Sequence, residues 1–259
     1  MRPNYIQRTD LFDQDGPVLP VCLCLDTSRS MQATIGGTLT GEHVMIGGTR
    51  YPVVVGGVAR IETLQAGIEQ FYSSIYTDEL ARYTVELAIV TFDDQSHCTR
   101  KFSSLVKNGH PSVPPVLTPR GESTHLGKAI NHALDLLEKR KAFHKKKGHD
   151  VYQPWLIIMT DGKDRGDPDE LKRAIHRIHT SVQNKKLGVY PFAIGRSANL
   201  EQLNALSPVQ EAFRLEETQM KGLFTWFARS ASKVSSGEID PYSSPKLEEY
   251  EVVSWKKDL

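Results

Sequence analysis

Short, fully apolar segments that alternate with longer amphipathic ones restrict the fold of this chain more than any other feature. Segment 18–25 (VLPVCLCL) ends abruptly at Asp26, and Trp155–Thr160 (WLIIMT) ends in the same way at Asp161. Continuous apolar runs of this length are typical of strands that are buried on both faces, as in parallel sheets. Both aspartates therefore follow directly after a predicted central strand.

The remaining segments continue this alternation. Apolar residues spaced three and four apart predict amphipathic helices, and further short apolar runs predict strands. The predicted helices are 60–76, about 125–147, 168–183, 200–206 and 220–233, and the predicted strands are 84–92, 187–194 and 212–215, with an edge strand at 97–105. Strands that alternate with helices in this way predict an α/β fold with a mostly parallel central sheet covered by helices on both faces.

The organisation predicted for the 259 residues is a single domain over 17–234, because no repeat or low-complexity block interrupts the alternation. A polar extension (1–16) precedes this domain. A polar tail (235–259), expected to pack weakly or be mobile, follows it. Within the domain, the glycine-rich segment 33–58 with its Gly47-Gly48 pair predicts a β-hairpin inserted after the first strand. This insertion is either a neutral surface feature or a determinant of partner specificity.

Composition excludes several classes of protein. The chain has 32 basic and 31 acidic side chains, so its net charge of +1 provides no global attraction to nucleic acid or to a membrane surface. No apolar stretch approaches the roughly 20 residues that span a bilayer. The three cysteines, Cys22, Cys24 and Cys98, are expected to be reduced thiols in a cytoplasmic protein, since together with His97 they match no usual zinc spacing.

Three polar segments follow predicted strands or precede a predicted helix: DTSRS at 26–30, GESTHLG at 121–127 and TDGK at 160–163. Taken alone, such Asp and Ser clusters also suit turns and helix caps. However, the carboxyl ends of parallel strands meet at one edge of a sheet, where ligands bind. We therefore expect one site formed by Asp26, Ser28, Ser30, Thr124 and Asp161.

The ligands offered by this set are all oxygens, and two of them are carboxylates. Mg²⁺ prefers such hard ligands and readily retains water, whereas zinc prefers nitrogen or sulfur. The set predicts a Mg²⁺ site, with Mn²⁺ also possible. Because few of these ligands are charged, we expect a bound cation to complete its shell with an Asp or Glu side chain of a partner protein.

The same segments carry a family resemblance. DTSRS with Met31, GESTHLGKAI and IIMTDG resemble the three parts of the metal-ion-dependent adhesion site of von Willebrand factor A domains, over about 17–234. The chain looks most similar to the bacterial TerY-like branch, named for tellurium-resistance loci. The resemblance implies a Rossmann-like fold, metal ligation by the five residues above, partly through water, and binding without catalysis. It also implies a bacterial stress-response or signalling system in which a protein phosphatase or kinase-like protein is the partner.

The chain departs from the family pattern at Arg29, where the family usually has glycine. Either the backbone tolerates a side chain at this turn or the loop is altered. Arg29 and His125 lie beside predicted ligands in the sequence, and both are candidates for contact with the partner protein.

Two other functions remain as alternatives. A Mg²⁺-dependent phosphatase or phosphoryl-transfer enzyme would need a nucleophile or base beside the metal. Four acids lie near the ends of predicted strands, but turn and surface roles explain them without catalysis: Asp93, Asp94, Asp164 and Asp167. A nucleic-acid-binding accessory role would rest on the basic runs 139–141 and 145–147, although cations at the end of a helix also complement its negative terminus. We therefore favour a protein partner and no catalysis.

Overall fold

The computed structural model describes residues 16–35, 37–46, 49–107, 109–195, 198–209, 211–215, 219–240, 242–243 and 245. Most of the predicted N-terminal extension and the end of the predicted tail lie outside these residues.

The structure alternates strands and helices as predicted. The strands are β1 (Leu19–Asp26), β2 (Thr34–Ile35), β3 (Thr38–Ile46), β4 (Thr49–Val55), β5 (Val58–Ala59), β6 (Val85–Phe92), β7 (Ser96–Ser104), β8 (Val106–Lys107), β9 (His110–Pro111), β10 (Trp155–Thr160), β11 (Gly188–Ile194) and β12 (Phe213–Leu215). The helices are α1 (Arg60–Thr77), α2 (Ala81–Thr84), α3 (Leu126–Lys147), α4 (Pro168–Gln183), α5 (Leu200–Asn204) and α6 (Met220–Ser236). Of these elements, α2 and the short strands β2, β5, β8 and β9 were not predicted.

The central sheet has six strands in the order β12-β11-β10-β1-β6-β7. Every neighbouring pair is parallel except β6 and β7, which are antiparallel. The expected α/β fold with a mostly parallel sheet is confirmed.

Helices cover both faces of this sheet, which explains why β1 is apolar from Leu19 to Leu25. Its leucines, including Leu23 and Leu25, pack on the side of α1 and α6. Cys22 and Cys24 pack on the side of α3 and α4. Both cysteines are free and buried, and burial raises the pKa of each thiol.

The sheet has its topological switch point between β1 and β10. The chain leaves β1 toward α1 on one face, whereas it leaves β10 toward α4 on the other. Diverging connections open a crevice at the carboxyl ends of the two strands, where doubly wound proteins bind ligands. Asp26 ends β1 and Asp161 follows β10, so both lie at this crevice.

The predicted insertion forms an antiparallel β3–β4 hairpin, and the short strands β2 and β5 pair at its base. Its predicted Gly47-Gly48 turn lies outside the described residues. None of the described helices is long and apolar enough to cross a membrane.

The start of the predicted tail is partly described by the structure. Helix α6 continues through Ser236, Ile239 packs against the core, and the Tyr190 hydroxyl donates to the Pro245 carbonyl at 3.3 Å. The first described residues of the predicted tail therefore contact the core.

Candidate metal centre

Asp26 is one of the two buried acids of the site. The whole residue is buried at the end of β1, and both of its carboxylate oxygens accept hydrogen bonds. Oδ1 accepts from the backbone N–H of Ser28 at 2.8 Å, and Oδ2 accepts from the Thr160 hydroxyl at 2.5 Å. Because β1 and β10 are neighbouring strands, Thr160 at the end of β10 can hold the Asp26 carboxylate at the end of β1.

The hydroxyl groups connect the two acids. Ser28 Oγ lies 3.0 Å from Ser30 Oγ, and Ser30 donates to Asp161 Oδ1 at 2.6 Å. Thr124 donates to Ser28 Oγ at 3.4 Å. The structure thus brings all five predicted ligand residues together in one hydrogen-bonded group, which we call the oxygen network: Asp26, Ser28, Ser30, Thr124 and Asp161.

Thr124 is positioned by the loop after β10. Arg165 N–H donates to the Thr124 carbonyl at 2.8 Å. A Cβ atom at Gly162 would lie 3.0 Å from the Thr124 hydroxyl oxygen, closer than most real Cβ contacts. The absence of a side chain at position 162 therefore lets the loop pass against Thr124 without moving its hydroxyl.

Arg60, the first residue of α1, is part of the site although the sequence did not point to it. Its Nη1 donates to Asp161 Oδ2 at 2.5 Å, and the side chains of Arg60 and Asp161 are 14% and 0% exposed. Gly195, with φ +72°, makes room for this contact, because a Cβ there would lie 3.0 Å from Arg60 Nη2. Asp161 is therefore held by a hydroxyl on one oxygen and by a guanidinium on the other.

The electrostatics of the oxygen network favour an additional cation. Burial raises the pKa of Asp26 to about 6; hydrogen bonds from Ser28 and Thr160 oppose this shift, and the nearby Asp161 charge adds to it. Two acids thus lie close together in a poorly solvated place, and Arg60 contacts one of them, Asp161. A positive ion beside Asp26 would relieve the cost of its negative charge.

The donor set also decides which ions fit. Two carboxylates and three hydroxyls are hard oxygen donors, which suit Mg²⁺ or Mn²⁺. Among the residues that the structure describes, no group of three or more His, Cys, Asp or Glu side chains could hold a metal. A metal here would thus depend on the hydroxyls of Ser28, Ser30 and Thr124 in addition to the two acids.

Arg29 and His125, the residues predicted to contact a partner, lie beside the network. The Arg29 side chain is 69% exposed and pairs with Glu122 at 2.9 Å. Among the described non-glycine residues only Lys185 has a positive φ, so the backbone at Arg29 needs no glycine. His125 is half-buried, and its backbone N–H donates to the Asp93 carbonyl at 2.8 Å.

The neighbouring acids serve the backbone. Asp164 Oδ1 accepts from Leu126 N–H at 2.8 Å, so this residue caps the start of α3 from the loop after β10. Asp167 caps α4 by accepting from Asp169 N–H at 2.9 Å. These contacts agree with the turn roles expected for such acids, although the sequence did not indicate that Asp164 caps a helix 38 positions away.

Comparisons with known proteins show which family this chain resembles. A model described as the von Willebrand factor type A domain matches residues 57–225. The matched range includes Thr124 and Asp161 and begins after the hairpin, so DTSRS lies outside it. No curated protein sequence matches the chain.

Solved structures are similar in fold at low identity. The von Willebrand factor type A protein from Catenulispora acidiphila has a TM-score of 0.56 at 13% identity, over 83% of this chain and 43% of that one. The D319A mutant of the PilB minor pilin from Streptococcus sanguinis has a TM-score of 0.55 at 13% identity, over 90% and 64%. Proximal thread matrix protein 1 from the mussel byssus, with a zinc-occupied MIDAS motif, has a TM-score of 0.50 at 13% identity, over 84% and 49%.

This chain spans between 43% and 64% of the length of those three proteins, and the likeness concerns the fold. The family model, in contrast, matches more than half of the chain. The chain therefore belongs to the von Willebrand factor type A domain family.

Proposed function

We propose that this protein is a non-catalytic interaction module that binds a partner carboxylate through Mg²⁺ held by the oxygen network. The observation that carries the proposal is the continuous hydrogen bonding from Asp26 through Ser28 and Ser30 to Asp161. Four of the five side chains belong to residues that are almost fully buried, so their orientation is set before any ligand arrives.

Mg²⁺ is the proposed ion because the donors are carboxylate and hydroxyl oxygens. Mn²⁺ accepts the same donors and is the closest substitute. The MIDAS motif of the mussel protein is occupied by zinc. In the present chain the hard donor set and the scarcity of soft ligands around it favour Mg²⁺ over zinc.

The surroundings of the network suit an acidic partner group. The network supplies two carboxylates, and one of them, Asp161, is already paired with Arg60. A divalent cation held there keeps excess positive charge, which attracts another anion. Arg29 and His125 lie beside the network, and a partner Asp or Glu could replace Glu122 as the acceptor for the Arg29 guanidinium.

The proposal excludes catalysis because the acids around the network serve structural hydrogen bonds. Asp93 Oδ1 accepts from Gln95 N–H at 2.7 Å, and Asp164 caps α3. A base would have to leave such contacts in order to activate water or a substrate hydroxyl. Sustained metal-dependent hydrolysis of a phosphomonoester by the pure protein would refute this part of the proposal.

The finer assignment rests on the resemblance of the sequence motifs. We propose that the chain is a TerY-like protein of a bacterial stress-response or signalling system associated with tellurium resistance. It would act in the cytoplasm, with a protein phosphatase or kinase-like protein as its partner.

Calorimetric titration of Mg²⁺ and Mn²⁺ tests metal binding. We expect one site in the wild type and none in Asp161→Ala. Asp164→Asn is the matched control, because it changes a nearby carboxylate outside the network and should leave binding intact. Equal affinity in wild type and Asp161→Ala would exclude the network as the site.

Partner capture is tested with tagged protein in extracts of its native cell, with Mg²⁺ or with excess chelator. Metal-dependent capture should be lost in Asp26→Ala and retained in Asp164→Asn. Capture by Asp26→Ala in chelator at the wild-type level would show that the partner binds without the metal.

A further inference from the structure

A second candidate site lies at the end of the sheet opposite to the oxygen network. It is a cleft of about 480 Å³ between the end of α3, the turn after α4 and the segment that leads into β10. Four lysines contribute to its wall: Lys141, Lys145, Lys185 and Lys186. We call it the basic cleft, and its volume is in the range of pockets that bind small molecules.

The structure separates the basic run at the end of α3 into two groups. Arg140 and His144 turn inward, where Arg140 Nε donates to Glu86 at 2.6 Å and His144 Nε2 lies 2.8 Å from the same carboxylate. Lys141 and Lys145 instead line the basic cleft. Contacts within the fold thus explain Arg140 and His144 but leave Lys141 and Lys145 unexplained.

The lysines of the cleft have no ion-pair partner within the part of the chain that the structure describes. Burial lowers the pKa of Lys141, and the charge of Lys186 lowers it further while Glu138 opposes the shift. The two ammonium groups are therefore close enough to repel each other. Among the described residues that line the cleft, four lysines accompany one carboxylate, Asp150, and a multiply charged anion would relieve the repulsion between the lysines.

Lys185 is held in a conformation that costs free energy. Its φ is +55°, and it is the only described non-glycine residue with a positive φ. It follows Asn184, the C-cap of α4, at a position where glycine is usual because it has no Cβ. A lysine at this position suggests a use for its side chain that offsets the strain.

Two tyrosines complete the wall of the cleft. Burial raises the pKa of Tyr152, and the neighbouring Tyr242 and Asp150 raise it further. The Tyr152 phenol therefore keeps its proton and can donate a hydrogen bond to an anion.

We propose that the basic cleft binds the phosphate chain of a small molecule, either inorganic polyphosphate or a nucleotide. Several phosphate groups match several ammonium donors, and charge-assisted hydrogen bonds between them are strong. A nucleic acid fits less well, because the cations converge in a cleft and the chain as a whole has a net charge of only +1. This site needs neither the metal nor the partner of the oxygen network.

Calorimetry at low salt, with tripolyphosphate, ATP and adenosine as probes, tests the proposal. We expect tripolyphosphate and ATP to bind and adenosine not to bind. Lys141→Gln combined with Lys186→Gln should weaken binding by about tenfold or more, as expected for the loss of charged hydrogen bonds. The matched control is Lys146→Gln combined with Lys147→Gln, which removes two charges near the same helix end outside the cleft.

The source of the phosphates follows from the ratio of the two affinities. Similar binding of tripolyphosphate and ATP identifies the phosphate chain alone as the ligand, whereas clearly tighter ATP binding identifies a nucleotide. The proposal is overturned if neither probe binds, or if the control pair weakens binding as much as the cleft pair. Binding of an RNA oligonucleotide more tightly than ATP, with equal loss in both variants, would replace it with a nucleic-acid surface.

Lys185→Gly gives an independent test. Glycine relieves the left-handed strain, so the melting temperature should rise by roughly 2–4 °C if the full strain is recovered. The same variant should bind tripolyphosphate more weakly than wild type. Unchanged tripolyphosphate affinity in Lys185→Gly would remove this side chain from the site and overturn its assignment as a ligand-binding lysine.

Discussion

Replacement of Arg60 by methionine tests whether the guanidinium competes with a metal for Asp161. Arg60 Nη1 lies 2.5 Å from Asp161 Oδ2, and neither side chain has much contact with water. Opposite charges about 4 Å apart attract by about 4 kcal/mol at an effective dielectric constant near 20. Desolvation cancels part of this attraction, so we expect the ion pair to contribute roughly 1.5–3 kcal/mol to the free energy of unfolding.

This magnitude leads to two linked results for Arg60→Met. In chelator, the variant should be less stable than wild type, because buried Asp161 loses its ion pair with Arg60. With Mg²⁺ or Mn²⁺, the variant should bind the metal about 10 to 100 times more tightly, since each 1.4 kcal/mol is a factor of ten. Arg60→Lys keeps a positive charge, so its stability and its metal affinity should both lie between those of wild type and Arg60→Met.

Urea unfolding in chelator measures the first result, and calorimetric metal titration measures the second. The reasoning is refuted if Arg60→Met is as stable as wild type in chelator. Weaker metal binding in Arg60→Met would also refute it, because Arg60 would then orient Asp161 for the metal instead of competing for it.

Three further substitutions test other parts of the structure. Asp26→Asn should abolish metal binding. In urea unfolding at pH 7 it should nevertheless stabilise the metal-free protein by about 1–2 kcal/mol, because burial raises the pKa of Asp26 from 3.8 to about 6 and asparagine carries no charge. A loss of stability would contradict this. Gly162→Ala should weaken Mn²⁺ affinity by about tenfold in calorimetry by displacing the Thr124 hydroxyl, with little change in melting temperature. Burial alone would raise the pKa of Glu86. Hydrogen bonds from Arg140 and His144 outweigh burial, so the pKa of Glu86 lies below its usual value. A lowered carboxyl pKa stabilises the fold above the unfolded value near 4.3, and this stability is lost as the pH falls through the folded value. Glu86→Gln should therefore cost about 3 kcal/mol near neutral pH and flatten the acid side of the stability profile, and an unchanged profile would exclude the ion pair as its cause.

The sequence predicted the sheet and the position of the site for the same physical reason. Strands such as β1 and β10 are buried on both faces, so their apolar runs are continuous and end sharply where the chain reaches the sheet edge. The topology of parallel strands then brings the polar residues after Leu25 and Thr160 to one crevice. The convergence of Asp26 and Asp161 could therefore be expected from the sequence pattern alone.

The partners of these acids could not be predicted in the same way. The contact between Arg60 and Asp161 joins residues 101 positions apart, and the contact between Thr160 and Asp26 joins residues 134 positions apart. Helical or strand periodicity assigns a residue to a face, but it does not identify the side chain opposite. The placement of Arg60 at the first position of α1, directly after the hairpin, is the one signal that could have suggested a role at the crevice.

Anomalous diffraction from crystals grown with Mn²⁺ tests the central claim most directly. A single manganese peak should lie within bonding distance, directly or through water, of Asp26, Ser28, Ser30, Thr124 and Asp161. A manganese ion bound elsewhere in the wild-type chain, with none at the end of β1, would contradict the assignment of the metal centre.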